Sequence, residues 1–216
     1  MTSPRIRVKI CGITRPSDAE ALDALPIDYL GFNFSPRSKR FVEPRTAAEM
    51  ISRLQHAEPV GVFVDASPKH ILEVAGATGI RWIQLHGNED WDVLEKIALP
   101  VIKAIPHTRL SDYGGLKMEW GNRQGQPRYF LVDTLAAAQG GDAFGGSGHA
   151  FDWSLLESKP LPLPYFLAGG LGPENLARAL TSVKPFAVDL NSRVESAPGI
   201  KDLDLVKQCL EIVKAL

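Results

Sequence analysis

Apolar residues along this chain gather in short runs, and between the runs they recur at helical spacing. The runs near residues 5–10, 29–34, 60–64, 82–85, 101–104, 129–133, 165–168 and 187–190 predict strands. Most are too short and too apolar for half-exposed antiparallel strands, and read as buried parallel ones. Segments 16–25, 46–56, 68–78, 88–99, 173–182 and 202–215 predict helices. Ser67-Pro68 supplies a cap followed by proline in the first turn. Gly172-Pro173-Glu174 puts proline and an acid at another start. Residues 106–127 carry the weakest helical pattern, because Gly114-Gly115 interrupts it. The glycine-dense stretch 139–148 reads as a long loop rather than a linker.

Roughly eight β-α units with no composition shift between them imply one closed sheet. The expected fold is α/β, a single-domain (β/α)8 TIM barrel over residues 1–216, with an open doubly wound sheet as the alternative. The length is near the roughly 250 residues such barrels usually need. With 24 basic and 25 acidic residues the formal net charge is −1, which gives no reason to expect nucleic acid or an acidic membrane face as partner. No apolar run approaches the roughly 20 residues of a membrane span. The N-terminus lacks the apolar stretch of a signal peptide. The two cysteines, Cys11 and Cys209, form neither a disulfide framework nor a zinc pattern, so a reducing cytoplasm is expected. No exposed apolar stripe stands out, which favours a monomer.

Chemistry collects where strands end. In the first run Ile6, Val8 and Ile10 share one face, while Arg7, Lys9 and Cys11 share the other. Gly12 ends the run, leaving Cys11 at the rim. Asp133 ends the sixth strand in the same way, and strand ends of a barrel converge on one mouth. A thiol and a carboxyl facing across it could act as base and acid. Taken alone, Cys11 also fits a small buried hydrophobe and Asp133 a turn residue or helix cap. Gly169-Gly170 after the seventh strand and Asn191-Ser192 after the eighth lie where barrels usually hold a phosphate. Arg37, Lys39 and Arg40 follow the second strand, where an arginine fork could clasp a carboxylate or simply be solvated. His86, after the fourth strand, fits a substrate contact or a hydrogen-bonded structural histidine.

Several short tags occur in order along nearly the whole chain. They are Lys9-Ile-Cys-Gly-Ile-Thr14, Gly31-Phe-Asn-Phe with Ser38-Lys-Arg40, Gln84-Leu-His-Gly87, Val132-Asp-Thr134, Gly145-Gly-Ser-Gly148 with Phe151-Asp-Trp153, and Ala168-Gly-Gly-Leu171. Val188-Asp-Leu-Asn-Ser192 and Val194-Glu-Ser-Ala-Pro-Gly199 complete the set. Together they resemble the phosphoribosylanthranilate isomerase family of tryptophan biosynthesis. The resemblance implies a (β/α)8 barrel that performs an Amadori rearrangement on a phosphorylated sugar-anthranilate substrate, with no metal or cofactor. It implies Cys11 as general base and Asp133 as general acid. Arg40 would hold the anthranilate carboxylate and His86 would contact substrate. Gly169, Gly170, Asn191 and Ser192 would hold the phosphate. His149 and Arg193 stand where similar sequences often carry other residues.

Such chemistry asks for unusual ionisation. A free thiol near pKa ~8.5 is mostly protonated at neutral pH, and a free aspartate near ~3.9 is mostly ionised. Lys9 shares the Cys11 face and could favour the thiolate. The more ordinary use of a buried lysine is an ion pair, here with Asp189 on the neighbouring eighth strand. Burial beneath substrate could raise Asp133. Competing readings are a thiol-dependent lyase or aldolase with Lys103 as Schiff-base lysine, a silent phosphosugar-binding protein, and the similar histidine-pathway isomerase. The last resembles a two-aspartate design, against which Cys11 argues.

Overall fold

The computed structural model describes residues 5–89, 91–106, 115, 127–133, 156 and 161–216. Eight parallel strands close into a barrel in sequence order. They are β1 (Arg7–Cys11), β2 (Tyr29–Asn33), β3 (Glu58–Phe63), β4 (Trp82–Leu85), β5 (Val101–Pro106), β6 (Tyr129–Asp133), β7 (Tyr165–Leu167) and β8 (Ala187–Leu190). Closure comes from β1 pairing with β8, with Lys9 opposite Asp189. This excludes the open doubly wound sheet.

The described helices are α1 (Pro16–Asp23), α2 (Pro44–Ile51), α3 (Pro68–Thr78), α4 (Trp91–Glu95), α5 (Leu176–Ser182) and α6 (Leu203–Lys214). Helix α3 matches its expected span, and Ser67 Oγ accepts from the His70 N–H at 3.2 Å as the predicted cap. Others differ for tertiary reasons. Helix α2 starts at Pro44 and ends at Ile51, short of the expected residue 56, because the Asp23 carboxylate captures the N–H groups of Gln55, His56 and Ala57 at 2.7–3.1 Å. Helix α4 starts later than residue 88, as Glu89 turns inward to meet Lys103, and it stops at Glu95, where the Lys96 and Ile97 N–H groups bond three residues back, to Val93 and Leu94. Helix α5 begins at Leu176 rather than residue 173, since Asn175 folds its side chain back onto Gly172.

Strand alternation separates two cores. Val8, Ile10, Leu30, Phe32, Ile83, Leu85, Val188 and Leu190 face the helix layer and are essentially inaccessible. Burying each such side chain contributes roughly 1.5–3 kcal/mol. Tyr29, Val60, Ile102, Leu131, Phe166 and Ala187 fill the barrel itself. This plug of large side chains closes the axis, so the polar residues one step further along each strand look out through a single mouth.

A short antiparallel hairpin, β9 (Glu195–Ala197) and β10 (Ile200–Lys201), follows β8 and precedes α6. Gly199 turns it at φ +81, and a Cβ there would lie 2.9 Å from Thr14 Oγ1. Thr14 in turn donates to the Gly199 carbonyl at 2.6 Å. The hairpin is thereby docked on the loop after β1.

Candidate active site

The floor of the mouth is built from β1, β2 and β8. Lys9, Cys11 and Asp189 point inward, and Gly31 on β2 leaves the room they occupy. A Cβ on Gly31 would meet Cys11 Sγ at 2.9 Å and Lys9 Cε at 3.3 Å. Lys9 Nζ lies 2.9 Å from each Asp189 oxygen, and both side chains are buried. Burial alone would lower the Lys9 pKa, but the carboxylate and the nearby thiol outweigh it and hold it above the ordinary lysine value. Burial pushes the Cys11 thiol above its ordinary value. The ammonium groups of Lys9 and Lys201 pull against that shift, while Asp189 adds to it. Cys11 thus has two cations placed to stabilise its anion against the effect of burial.

The second wall carries Arg40. Its stem passes over Gly12, whose φ of +79 and missing side chain both matter: a Cβ there would lie 2.5 Å from Arg40 Cδ. The guanidinium Nε and Nη2 donate to the Glu195 carboxylate at 2.6–3.0 Å. Glu195 also accepts from Lys201 Nζ at 2.7 Å and from the Gly199 N–H at 3.2 Å. Lys201 reaches on to Asn191 Oδ1 at 3.1 Å. Burial would raise the Glu195 carboxyl, yet its bonds to Arg40 and Lys201 hold it below the usual range.

Opposite stand Asp133 and His86. His86 Nε2 lies 3.4 Å from Asp133 Oδ2, and Gln84 Nε2 meets His86 Nδ1 at 2.8 Å. With Gln84 donating to Nδ1, the ring proton sits on Nε2 and faces the carboxylate. Gln84 Oε1 is buried without a protein partner among the described residues. Lys103 does not join this wall. It lies between Val101 and Ile105, both on the helix-facing side, and donates to Glu89 Oε2 and the Gly87 carbonyl at 2.7 Å each. The Schiff-base role considered for it is thus contradicted: strand parity turns it away from the mouth and an ion pair holds it.

The third side is glycine. Gly169 and Gly170 adopt φ +89 and +64, a conformation that turns successive N–H groups to one side. Asn175 clamps this loop, accepting from Gly172 N at 3.0 Å and donating to the Gly170 carbonyl at 2.8 Å. Asn191 and Ser192 flank it from β8. The Arg193 side chain lies against Gly172, with Nη1 3.8 Å from Glu174 at the outer rim.

Cys11, Asp133, Arg40, His86, Gly169, Gly170, Asn191 and Ser192 all line one cavity. Asn33, Ser35, Ser38, Gln84 and Asp189 line it too. Of these, Gln84 and Asn33 could have been found by stepping back two or forward four residues along strand faces already read. Glu195 and Lys201 carried no such signal, because they reach the site through the hairpin rather than a barrel strand. Thr134, residues 145–148, His149 and residues 151–153 lie outside the described residues. Among the described residues no group of three or more His, Cys, Asp or Glu could hold a metal ion, and no helix is long and apolar enough to cross a membrane.

A mouth offering a thiol, a carboxyl, an anchored arginine and a glycine loop invites comparison with known barrels. A family model of N-(5'-phosphoribosyl)anthranilate isomerase matches residues 8–212. The isomerase of Myxococcus xanthus is 39% identical over 213 residues, covering 98% of this chain and 97% of its own. The solved Thermotoga maritima isomerase is 37% identical with a TM-score of 0.86, covering 98% of this chain and 100% of that one. Another isomerase structure, in complex with reduced 1-(o-carboxyphenylamino)-1-deoxyribulose 5-phosphate, is 35% identical with a TM-score of 0.82, covering 98% and 100%. On these matches, as on its ordered motifs and closed barrel, the chain belongs to the N-(5'-phosphoribosyl)anthranilate isomerase family.

Proposed function

We propose that this protein converts N-(5'-phosphoribosyl)anthranilate into 1-(2-carboxyphenylamino)-1-deoxyribulose 5-phosphate, with Cys11 and Asp133 as its base and acid. One observation carries the residue assignment: these two side chains, from strands three places apart round the barrel, line the same cavity. Asp133 in its protonated form gives that proton to the furanose ring oxygen. The anilino nitrogen supplies its lone pair, the C1–O bond breaks, and an iminium forms. The Cys11 thiolate then takes the proton from C2, which the iminium has acidified, and an enolamine results. Its C2 hydroxyl proton leaves as C1 gains one, giving the ketose. The cycle closes when the proton on sulfur is lost and Asp133 regains one, so nothing is oxidised or reduced overall.

The other assignments follow the same geometry. Arg40 Nη1 makes none of the bonds to Glu195 and is the edge offered to the anthranilate carboxylate. Gly169, Gly170, Asn191 and Ser192 receive the phosphate, and His86 orients Asp133 and touches the sugar. A relative crystallised with reduced 1-(o-carboxyphenylamino)-1-deoxyribulose 5-phosphate supports a ligand of this class. The test follows loss of substrate fluorescence with wild type and Cys11→Ser side by side. Wild-type turnover that falls by orders of magnitude in the variant is expected. No wild-type turnover overturns the activity, and equal turnover overturns the base.

The Thermotoga maritima relative is described as dimeric. Sedimentation velocity distinguishes a dimer of that kind from the monomer expected from sequence.

A further inference from the structure

We propose that Glu195 is a positioning residue that selects for the substrate's carboxylate by fixing the guanidinium of Arg40. The inference rests on the isomerase reading and deepens it. Three observations carry it. First, the Glu195 carboxylate takes Nε and Nη2 of Arg40 in a two-pronged contact at 2.6–3.0 Å, with side-chain exposure of only 11% for Arg40 and 3% for Glu195. A guanidinium held along one edge cannot rotate about its last bond, so its remaining edge keeps one direction. Second, Glu195 is itself immobile. Lys201 Nζ and the Gly199 N–H bond to it, the Lys201 N–H donates to Asp18 Oδ2 at 3.0 Å, and Thr14 ties the hairpin to the β1 loop. Third, the charges do not cancel locally. Arg40 and Lys201 bring two positive charges against the single negative charge of Glu195, and Asp189 is already taken by Lys9. A ligand carboxylate beside Arg40 supplies the second anion.

This arrangement makes Glu195 act through ligand binding rather than on the reacting carbon. A free arginine would have to be ordered each time substrate arrives, and the preformed fork removes that cost. A like-charged carboxylate so close to the ligand's own is tolerable only because the guanidinium lies between them.

The experiment measures kcat and KM for the isomerisation in wild type, Glu195→Gln and Glu195→Asp. It also measures the dissociation constants of the product and of ribulose 5-phosphate, which lacks the carboxyphenyl group. In Glu195→Gln, KM and the product dissociation constant should rise about tenfold, the loss expected for one charge-assisted bond. kcat should stay within about twofold, the signature of lost uniform binding. Ribulose 5-phosphate should bind as it does to wild type. Glu195→Asp retains the charge but shortens the reach, and should fall between. If Glu195→Gln fails to fold, Glu195→Asp carries the test with the same pattern at smaller size. An unchanged KM, or equal weakening of both ligands, overturns the proposal, the latter by assigning Glu195 a purely structural role. Absence of wild-type turnover overturns the isomerase reading and this inference with it.

Discussion

Lys9 Nζ sits midway between the two oxygens of Asp189, 2.9 Å from each, although 180 residues separate them in the chain. The pair closes the barrel and floors the cavity at once, because β1 and β8 are neighbours and their registers set these residues opposite one another. Replacing Lys9 with Met leaves a buried carboxylate without its partner. Such a change costs about 3–5 kcal/mol. Urea unfolding monitored by circular dichroism should show the midpoint falling, and an unchanged midpoint would refute the pairing's structural weight.

Cys11 carries a thiol raised by burial and opposed by Lys9 and Lys201. If its thiolate is the base while a protonated Asp133 is the acid, the two requirements run in opposite directions with pH. The base is therefore read in Asp133→Asn, where residual kcat/KM must increase with pH through neutrality as the thiolate fraction grows. In that variant the rise should run on above the ordinary thiol range, because burial holds Cys11 above it. Cys11→Ser should lower kcat by about 10²–10⁴, the usual loss on removing a general base. A residual kcat/KM that stays level from pH ~6 to ~9 in Asp133→Asn would contradict the thiolate.

Asp133→Asn keeps size and polarity but has no acidic proton to give. Turnover should fall by a similar factor of about 10²–10⁴ while binding of the product changes little. A variant that retains turnover would remove Asp133 from the acid role. His86→Asn offers a complement, because it should disturb Asp133 only through the 3.4 Å contact and so cost less.

Glu195 predicts how stability depends on acid. Its folded pKa lies below the ordinary carboxyl value, since Arg40 and Lys201 outweigh burial. The stabilisation is therefore full above the unfolded carboxyl range and is lost as pH falls through the folded value. Thermal melting should separate wild type from Glu195→Gln at pH near ~7, and the gap should close as pH drops well below ~4.3, the ordinary glutamate pKa. A gap that widens in acid would reverse the sign and sink the assignment.

Cys209 provides a contrast within one protein. It is buried in α6 among Val206 and Leu210, and burial pushes its thiol up to about 12. It faces the helix layer, remote from the cavity-lining set. Cys209→Ala should leave kcat and KM unaltered while lowering the melting temperature slightly. An inactive, folded variant would contradict this.

Much of the site is legible in the amino-acid sequence, and the reason is parity. A strand turns each second side chain to the same face, so Cys11 and Asp133 had to look where Lys9 and Leu131 look. The same rule read forward would have excluded Lys103 from the mouth, since Ile102 and Ala104 take the inner face of β5. Helix ends are less legible. The early stop of α2 depends on Asp23, which holds the His56 N–H from 33 positions away, and the late start of α4 depends on Lys103.

By itself the sequence determined the succession of strands and helices, the inward face of each strand, and the placing of a thiol and a carboxyl at strand ends. Those follow from spacing between near neighbours, and local geometry translates spacing directly into direction. Only the tertiary structure decided which charges meet. Arg40 finds Glu195 across 155 positions, and Lys201 reaches the same carboxylate from a hairpin outside the barrel. Such pairings depend on closure, register and the docking of a loop, and these are fixed by the whole packed chain rather than by any stretch of it.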